Sequence, residues 1–166
     1  MRYWLTIFCL VPFTLQAQDD KSDKQEAKFY RMVDGLLDHA VEEVKVQDGI
    51  PENAVLLDAR SEEEYKVSHL AHARWVGYDD FDVRTILDVD KNAEILVYCS
   101  VGYRSEKVAE QLKSAGYTNA KNLYGGLFDW VNHGLPVVDS LGHPTQQVHG
   151  YNLLWGRWVT KGEVVY

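Results

Sequence analysis

Apolar positions change period several times along the chain, and each change marks an element. Over residues 27–40, Phe29, Val33, Leu36, Leu37 and Ala40 recur at spacings of four, three and one, which predicts an amphipathic helix weakened at Gly35. Residues 54–57, Ala-Val-Leu-Leu, are a short continuous apolar run ending at Asp58, as a strand buried on both faces of a parallel sheet requires. Ser61 and Glu64 then form the Ser-x-x-Glu pattern of a capping box, so a short helix starts there and runs through Tyr65. Residues 73–76 read as a second short strand, 79–87 as a helical stretch, and 95–98, Ile-Leu-Val-Tyr, as the most strand-like run of the chain. Residues 104–115 place Val108, Ala109 and Leu112 on one face and stop at Gly116, and 120–124 give another strand before a helix around Trp130. Strands and helices alternate, which predicts an α/β fold: a central parallel sheet flanked by helices on both faces.

The N-terminus follows another pattern. Residues 1–17 open with Met1 and Arg2, run through an apolar stretch from Trp4 to Leu15 interrupted by Pro12, and end in Leu15-Gln16-Ala17. This is the outline of a secretory signal peptide cleaved after Ala17. The stretch is short for a membrane span, and Cys9, preceded by Phe8 in mid-stretch, is not placed as a lipid acceptor. Residues 18–26 read as a solvated linker. The expected location is periplasmic or secreted, with no transmembrane span after cleavage. Cleavage also removes Cys9, so the remaining Cys99 has no partner for an internal disulfide.

Composition narrows the function classes. A 166-residue chain that is 46% hydrophobic can bury one substantial core, and a formal charge of −8 disfavours nucleic acid as a partner. Two cysteines are too few for a disulfide scaffold or a cysteine-built zinc site. His69 and His72 lie three apart with no cysteine or carboxylate at ligand spacing, so they read as surface or packing histidines and no metal is expected.

The chemistry concentrates after the strand 95–98. Cys99 follows it directly, and the loop Cys99-Ser100-Val101-Gly102-Tyr103-Arg104 leads into a helix near Ser105. In open α/β sheets ligands sit at the carboxyl ends of the strands, where a following helix offers unpaired N–H groups and the positive end of its dipole. A thiol there, beside a guanidinium, is expected to react as the thiolate. Gly102 allows the backbone to curl so that N–H groups converge on the sulfur. The alternative is an inert cysteine buried at a strand end, and the loop around Cys99 weighs against it.

These residues resemble the rhodanese-like sulfurtransferases. The active-site loop of single-domain members reads Cys-x-x-Gly-x-Arg-Ser, which residues 99–105 match in full. Asp58-Ala59-Arg60, Glu64-Tyr65, His69, and Tyr124-Gly125-Gly126 with Trp130, Gly134 and Pro136 resemble the family's flanking signatures, in order. The resemblance covers roughly residues 41–138 and leaves 139–166 as a C-terminal aromatic extension. Ala71 and His72 stand where the family usually has proline and glycine, and Tyr103 is bulky for the loop.

The resemblance implies a five-stranded parallel sheet and a cycle in which Cys99 takes the outer sulfur of a small-molecule donor such as thiosulfate. Cys99 then holds that sulfur as a persulfide and passes it to a thiol or cyanide, or to a thiol of a partner protein, without a cofactor. Ser100, Val101, Gly102, Tyr103, Arg104 and Ser105 would bind substrate, with Arg104 guiding an anionic donor. Asp58, Arg60 and His69 would be structural support. Two alternatives remain. Related cysteine-dependent phosphatases place five residues between cysteine and arginine, whereas this chain has four, Ser100 to Tyr103. A catalytically silent binding module would follow if Tyr103 closed the pocket. In the extension, Tyr151, Leu154, Trp155 and Trp158 fall at helical spacings and 164–166 read as a strand. They form either a packing stripe or a lid near the active site.

Overall fold

A computed structural model of the protein describes residues 13–166, and side chains from residue 22 onward. Residues 1–12 of the expected signal peptide lie outside the described residues. The first helix, α1 (Phe13–Asp34), corrects two expectations. Residues 18–26 are helix rather than linker, because Gln, Lys, Glu and Ala are strong helix formers and their polarity fixes only which side meets water. The helix also stops at Asp34 rather than residue 40. Gly35 is costly inside a helix, and the chain turns there with Leu36 N–H and Leu37 N–H both bonded to the Val33 carbonyl.

Beyond α1 come β1 (Glu43–Val44), β2 (Val55–Asp58), α2 (Glu62–Val67), β3 (Arg74–Trp75), β4 (Ile95–Tyr98), α3 (Tyr103–Ser114), β5 (Ala120–Leu123) and α4 (Gly126–Asn132). The five strands form one sheet in the order β1-β5-β4-β2-β3, every neighbouring pair parallel. The stretch 79–87 is not a full helix but one 3-10 turn, Val83–Ile86, because the Asp82 side chain accepts from Arg84 N–H and starts the turn late.

Central strand β4 is buried along its whole length and divides the core. Leu96 and Tyr98 join Phe29 and Val33 of α1 and Leu127, Phe128 and Val131 of α4 on one face. Ile95, Val97 and Cys99 join Val108, Ala109 and Leu112 of α3 on the other. Helices thus cover both faces of the sheet.

The segment after α4 adds an antiparallel pair, β6 (Val137–Val138) with β7 (Pro144–Thr145). It also adds a parallel pair, β8 (Gln147–His149) with β9 (Glu163–Val165), around the short α5 (Leu153–Gly156). The aromatic residues of this segment do not make a single stripe. Trp158 packs on Phe29, ring centroids 6.0 Å apart, whereas Tyr151 and Trp155 face the loop after β4. Among the described residues, no helix is long and apolar enough to cross a membrane.

Candidate active site

Cys99 stands at the carboxyl end of β4, only 1% exposed, and its Sγ accepts a hydrogen bond from Gly102 N–H at 3.1 Å. Gly102 makes this possible from φ 111°, a backbone conformation open mainly to glycine. The loop is held from behind by the first turn of α4. Leu127 N–H donates to the Cys99 carbonyl (2.8 Å) and Phe128 N–H to that of Ser100 (3.0 Å), so two otherwise orphaned helix amides are satisfied by the Cys99 loop itself. Gly126, at φ 57°, is where the two backbones meet: a Cβ there would stand 2.4 Å from the Cys99 carbonyl oxygen.

In front, the capping box of α2 delivers Glu64 into the loop. Ser61 Oγ accepts from Glu64 N–H, and Ser61 N–H donates back to Glu64 Oε2 at 3.0 Å. Glu64 also receives Ser100 Oγ–H at 2.8 Å and both Arg104 amino groups, at 2.7 and 2.8 Å. Burial would raise the Glu64 pKa, but hydrogen bonding and charge from Arg104, then the Arg60 charge, outweigh it and bring it down to about 2. Burial would likewise discharge Arg104, and is outweighed chiefly by the hydrogen bonds and charge of Glu64, which hold the guanidinium protonated. The outer face of that guanidinium is covered by the Tyr151 ring, 5.3 Å from its centroid. A cleft of about 450 Å³ opens over the loop, walled by Leu36, Tyr78, Asp79, Tyr103, Tyr151 and Trp155.

A family model described as a rhodanese-like domain matches residues 41–133. The chain belongs to the rhodanese-like domain family. This rhodanese-like protein is 30% identical over 87 residues to a sulfurtransferase of Allochromatium vinosum, covering 52% of this chain and 80% of that one. It is 33% identical over 93 residues to a tRNA uridine(34) hydroxylase of Erwinia tasmaniensis, covering 51% of this chain but only 27% of that protein, so the likeness there is to a segment. Among solved structures it resembles the rhodanese-like domain of an Anabaena protein (26% identity, TM-score 0.50, 57% of this chain and 70% of that one). A thiosulfate sulfurtransferase of Pseudomonas aeruginosa shares the fold (20% identity, TM-score 0.54, 69% of this chain and 23% of that one).

Within this rhodanese-like fold the other site residues separate by role. Ser100, Val101, Gly102 and Arg104 surround Cys99, while Tyr103 stands at the lip of the cleft, 43% exposed, rather than plugging it. Ser105, expected to bind substrate, is turned away. Its Oγ lies 2.7 Å from Asn122 Oδ1 on β5, and Asn122 Nδ2 in turn donates to the Gly102 carbonyl, so Ser105 ties the loop to the sheet. Arg104, expected to guide an anionic donor, has its hydrogen-bonding edge occupied by Glu64 and Ser100. Asp58 and Arg60 form a fully buried pair, with Arg60 Nη2 reaching the Ser68 carbonyl at 2.6 Å. His69 stacks on Tyr65 at 3.9 Å and exchanges backbone hydrogen bonds with Val138. His72 occupies the left-handed region at φ 65°, in the position where the family usually carries glycine. Among the described residues Asp38, Glu106 and Glu110 could share a cation, but Lys107 Nζ already sits 2.6 Å from both Asp38 and Glu110.

Sequence reasoning missed Glu64, Leu36, Tyr78 and Asp79 as site residues, and gave Tyr151 and Trp155 only as the second of two readings, a lid near the active site. For Glu64 the signal was present: a capping-box glutamate beside a strand end is a carboxylate held in the interior, and it needs a cation.

Proposed function

We propose that this protein is a sulfurtransferase that carries a sulfane sulfur as a persulfide on Cys99. The observation that carries the reading is the loop itself. The carbonyls of Cys99 and Ser100 are bonded backward to α4 and Gly102 N–H is bonded to Sγ, which leaves the sulfur at the floor of a cleft. Such a loop stabilises negative charge on an outer sulfur. The Cys99 thiolate attacks the outer sulfur of the donor, the donor's bond to that sulfur breaks, and its electron pair leaves with the remainder of the donor. An acceptor thiolate or cyanide then takes the outer sulfur and restores Cys99. The Allochromatium relative supports the same chemistry.

Phosphatase chemistry is disfavoured because Arg104, which a phosphoryl group would engage, is filled by Glu64. Incubating the reduced protein with polysulfide or thiosulfate should add the mass of one sulfur atom at Cys99, and cyanide should remove it. Cys99→Ser should abolish both steps. If no sulfane donor changes the mass while the folded protein's thiol still alkylates, the silent-module reading replaces this one.

The pattern of residues 1–17 supports export, with N-terminal sequencing of envelope-fraction protein expected to begin at Gln18. Cleavage there shortens α1 but keeps its packing residues Phe29 and Val33. Full-length protein confined to the cytoplasm would overturn it.

A further inference from the structure

The cleft over Cys99 is poorly made for a small, doubly charged donor. Arg104 is the one cation among its lining residues, and it is closed on two sides: Glu64 fills its edge and Tyr151 covers its face. The bidentate pair is neutral as a unit, and exposed Asp79 adds a negative charge at the lip. A dianion entering here passes the negative charge of Asp79 and finds no unpaired guanidinium to receive it. The remaining wall is apolar or aromatic: Leu36, Tyr78, Tyr151 and Trp155. Its volume, about 450 Å³, lies in the range of sites for organic molecules rather than inorganic ions.

Three of these residues, Leu36, Tyr151 and Trp155, lie outside residues 41–133, the part matched by the family, and the last two belong to the C-terminal extension. Tyr151 is held at φ 61°, a left-handed conformation unfavourable for an aromatic residue, with its N–H bonded to His149 Nδ1 at 3.0 Å. Asn152 follows and caps α5, which carries Trp155. Strain of this kind persists where the surrounding structure over-determines it, and here it sets a ring over the active-site arginine.

We infer that the sulfur donor is an organosulfur compound with an apolar body and at most one negative charge, seated against Tyr151 and Trp155. This rests on the sulfurtransferase reading and names its substrate class. For a thiosulfonate R–SO2–S⁻, the Cys99 thiolate attacks the outer sulfur and the S–S bond breaks. Its electron pair leaves with the sulfinate R–SO2⁻, and Cys99 keeps the persulfide anion. No proton or external oxidant is needed.

The experiment compares Cys99 loading, followed by intact mass, from benzenethiosulfonate, methanethiosulfonate and thiosulfate, each rate divided by that of a free alkyl thiol with the same donor. The two thiosulfonates carry one negative charge and differ in body; thiosulfate carries two and has none. The normalised rate should be about tenfold or more higher for benzenethiosulfonate than for methanethiosulfonate, one ring contact corresponding to about that factor, and lowest for thiosulfate. Trp155→Ala and Tyr151→Asn should each lower the benzene-to-methane ratio several-fold. Asparagine tolerates the left-handed backbone, so Tyr151→Asn stays folded even if Trp155→Ala does not.

Equal normalised rates for the two thiosulfonates, a thiosulfate rate matching benzenethiosulfonate, or a ratio that survives in folded Tyr151→Asn would overturn the inference and leave sulfur transfer intact. Failure of all three donors and of polysulfide to load an alkylatable Cys99 would instead remove the sulfurtransferase reading itself.

Discussion

Two buried carboxylates serve the active-site loop from different supports, and the fold treats them oppositely. Glu64 bonds the loop's own Ser100 and Arg104, whereas Asp129 sits on α4, the helix whose amides hold the loop's carbonyls. Glu64 receives a hydroxyl, a backbone N–H and two guanidinium amino groups. Asp129 receives Tyr30 O–H at 3.0 Å on Oδ1, and its Oδ2 meets no donor among the described residues. Glu64 is consequently held ionised. Burial pushes the Asp129 carboxyl up, and the Tyr30 hydrogen bond and the charge of His133 only partly oppose it. Similar burial leaves the two carboxyls shifted in opposite directions because the donors differ, so the first support is rigidly electrostatic and the second is packing with a tolerated defect.

The largest effect should come from breaking the electrostatic support. Glu64→Gln leaves Arg104, with only 18% of its side chain exposed, without its counter-charge. Loss of one partner from such a pair costs roughly 3–5 kcal/mol, equivalent to a fall in Tm of about 10 °C. The Glu64 pKa is depressed in the fold, so its contribution is fully present above about pH 4.5, its ordinary value, and is lost as pH falls toward about 2. The difference between wild type and Glu64→Gln, measured by urea unfolding, should therefore shrink across that window. A gap independent of pH would show that packing rather than charge is lost.

The packing support is tested next by Gly126→Ala. The added methyl would lie 2.4 Å from the Cys99 carbonyl oxygen at a left-handed residue, so loop and helix must part. Overpacking and backbone strain together should cost about 3 kcal/mol, and persulfide loading should fall with it. Retained loading at wild-type rates would mean that the loop does not depend on α4.

How much of this was legible in the chain follows from sequence distance. The β4–Cys99–α3 unit is one contiguous segment, and its apolar run, Gly102 and Arg104 are all local signals. The capping box of Ser61 and Glu64 was local too, but its second purpose was not, because Glu64 meets Arg104 forty residues further on only once β2 and β4 pair. The extension failed differently. Helical spacing of Tyr151, Leu154, Trp155 and Trp158 suggested either one packing face or a lid near the active site, yet α5 lasts a single turn and divides the rings, Tyr151 and Trp155 to the cleft and Trp158 to α1. Residues 18–26 showed that a polar stretch of good helix formers continues a helix once its next turns pack.

Relieving the defect in the second support should raise stability. Asp129→Asn keeps an acceptor for Tyr30 and removes a charge that burial disfavours. Because the Asp129 pKa is raised in the fold, wild type loses stability as pH rises from about 3.8, its ordinary value, through the folded value. The variant's gain should be near zero below about pH 3.8 and about 1 kcal/mol at pH 7, read as the difference in urea midpoints. A loss at pH 7 would mean that ionised Asp129 is needed, and the contrast with Glu64 would collapse.

The smallest effect lies in neither support and calibrates both. His72 holds φ 65° in the turn closed by Ala73 N–H to the Leu70 carbonyl at 3.0 Å, an exposed position where the family usually carries glycine. Glycine relieves the left-handed strain of about 1–2 kcal/mol but adds chain entropy to the unfolded state, so His72→Gly should stabilise by about 0.5–1 kcal/mol, a Tm rise of about 2 °C. No charge near Cys99 changes, so loading rates should stay at wild type across pH, unlike those of the loop variants. A destabilised His72→Gly would show that the imidazole makes a compensating interaction in this turn, and the strain charged to Gly126→Ala would then need the same correction.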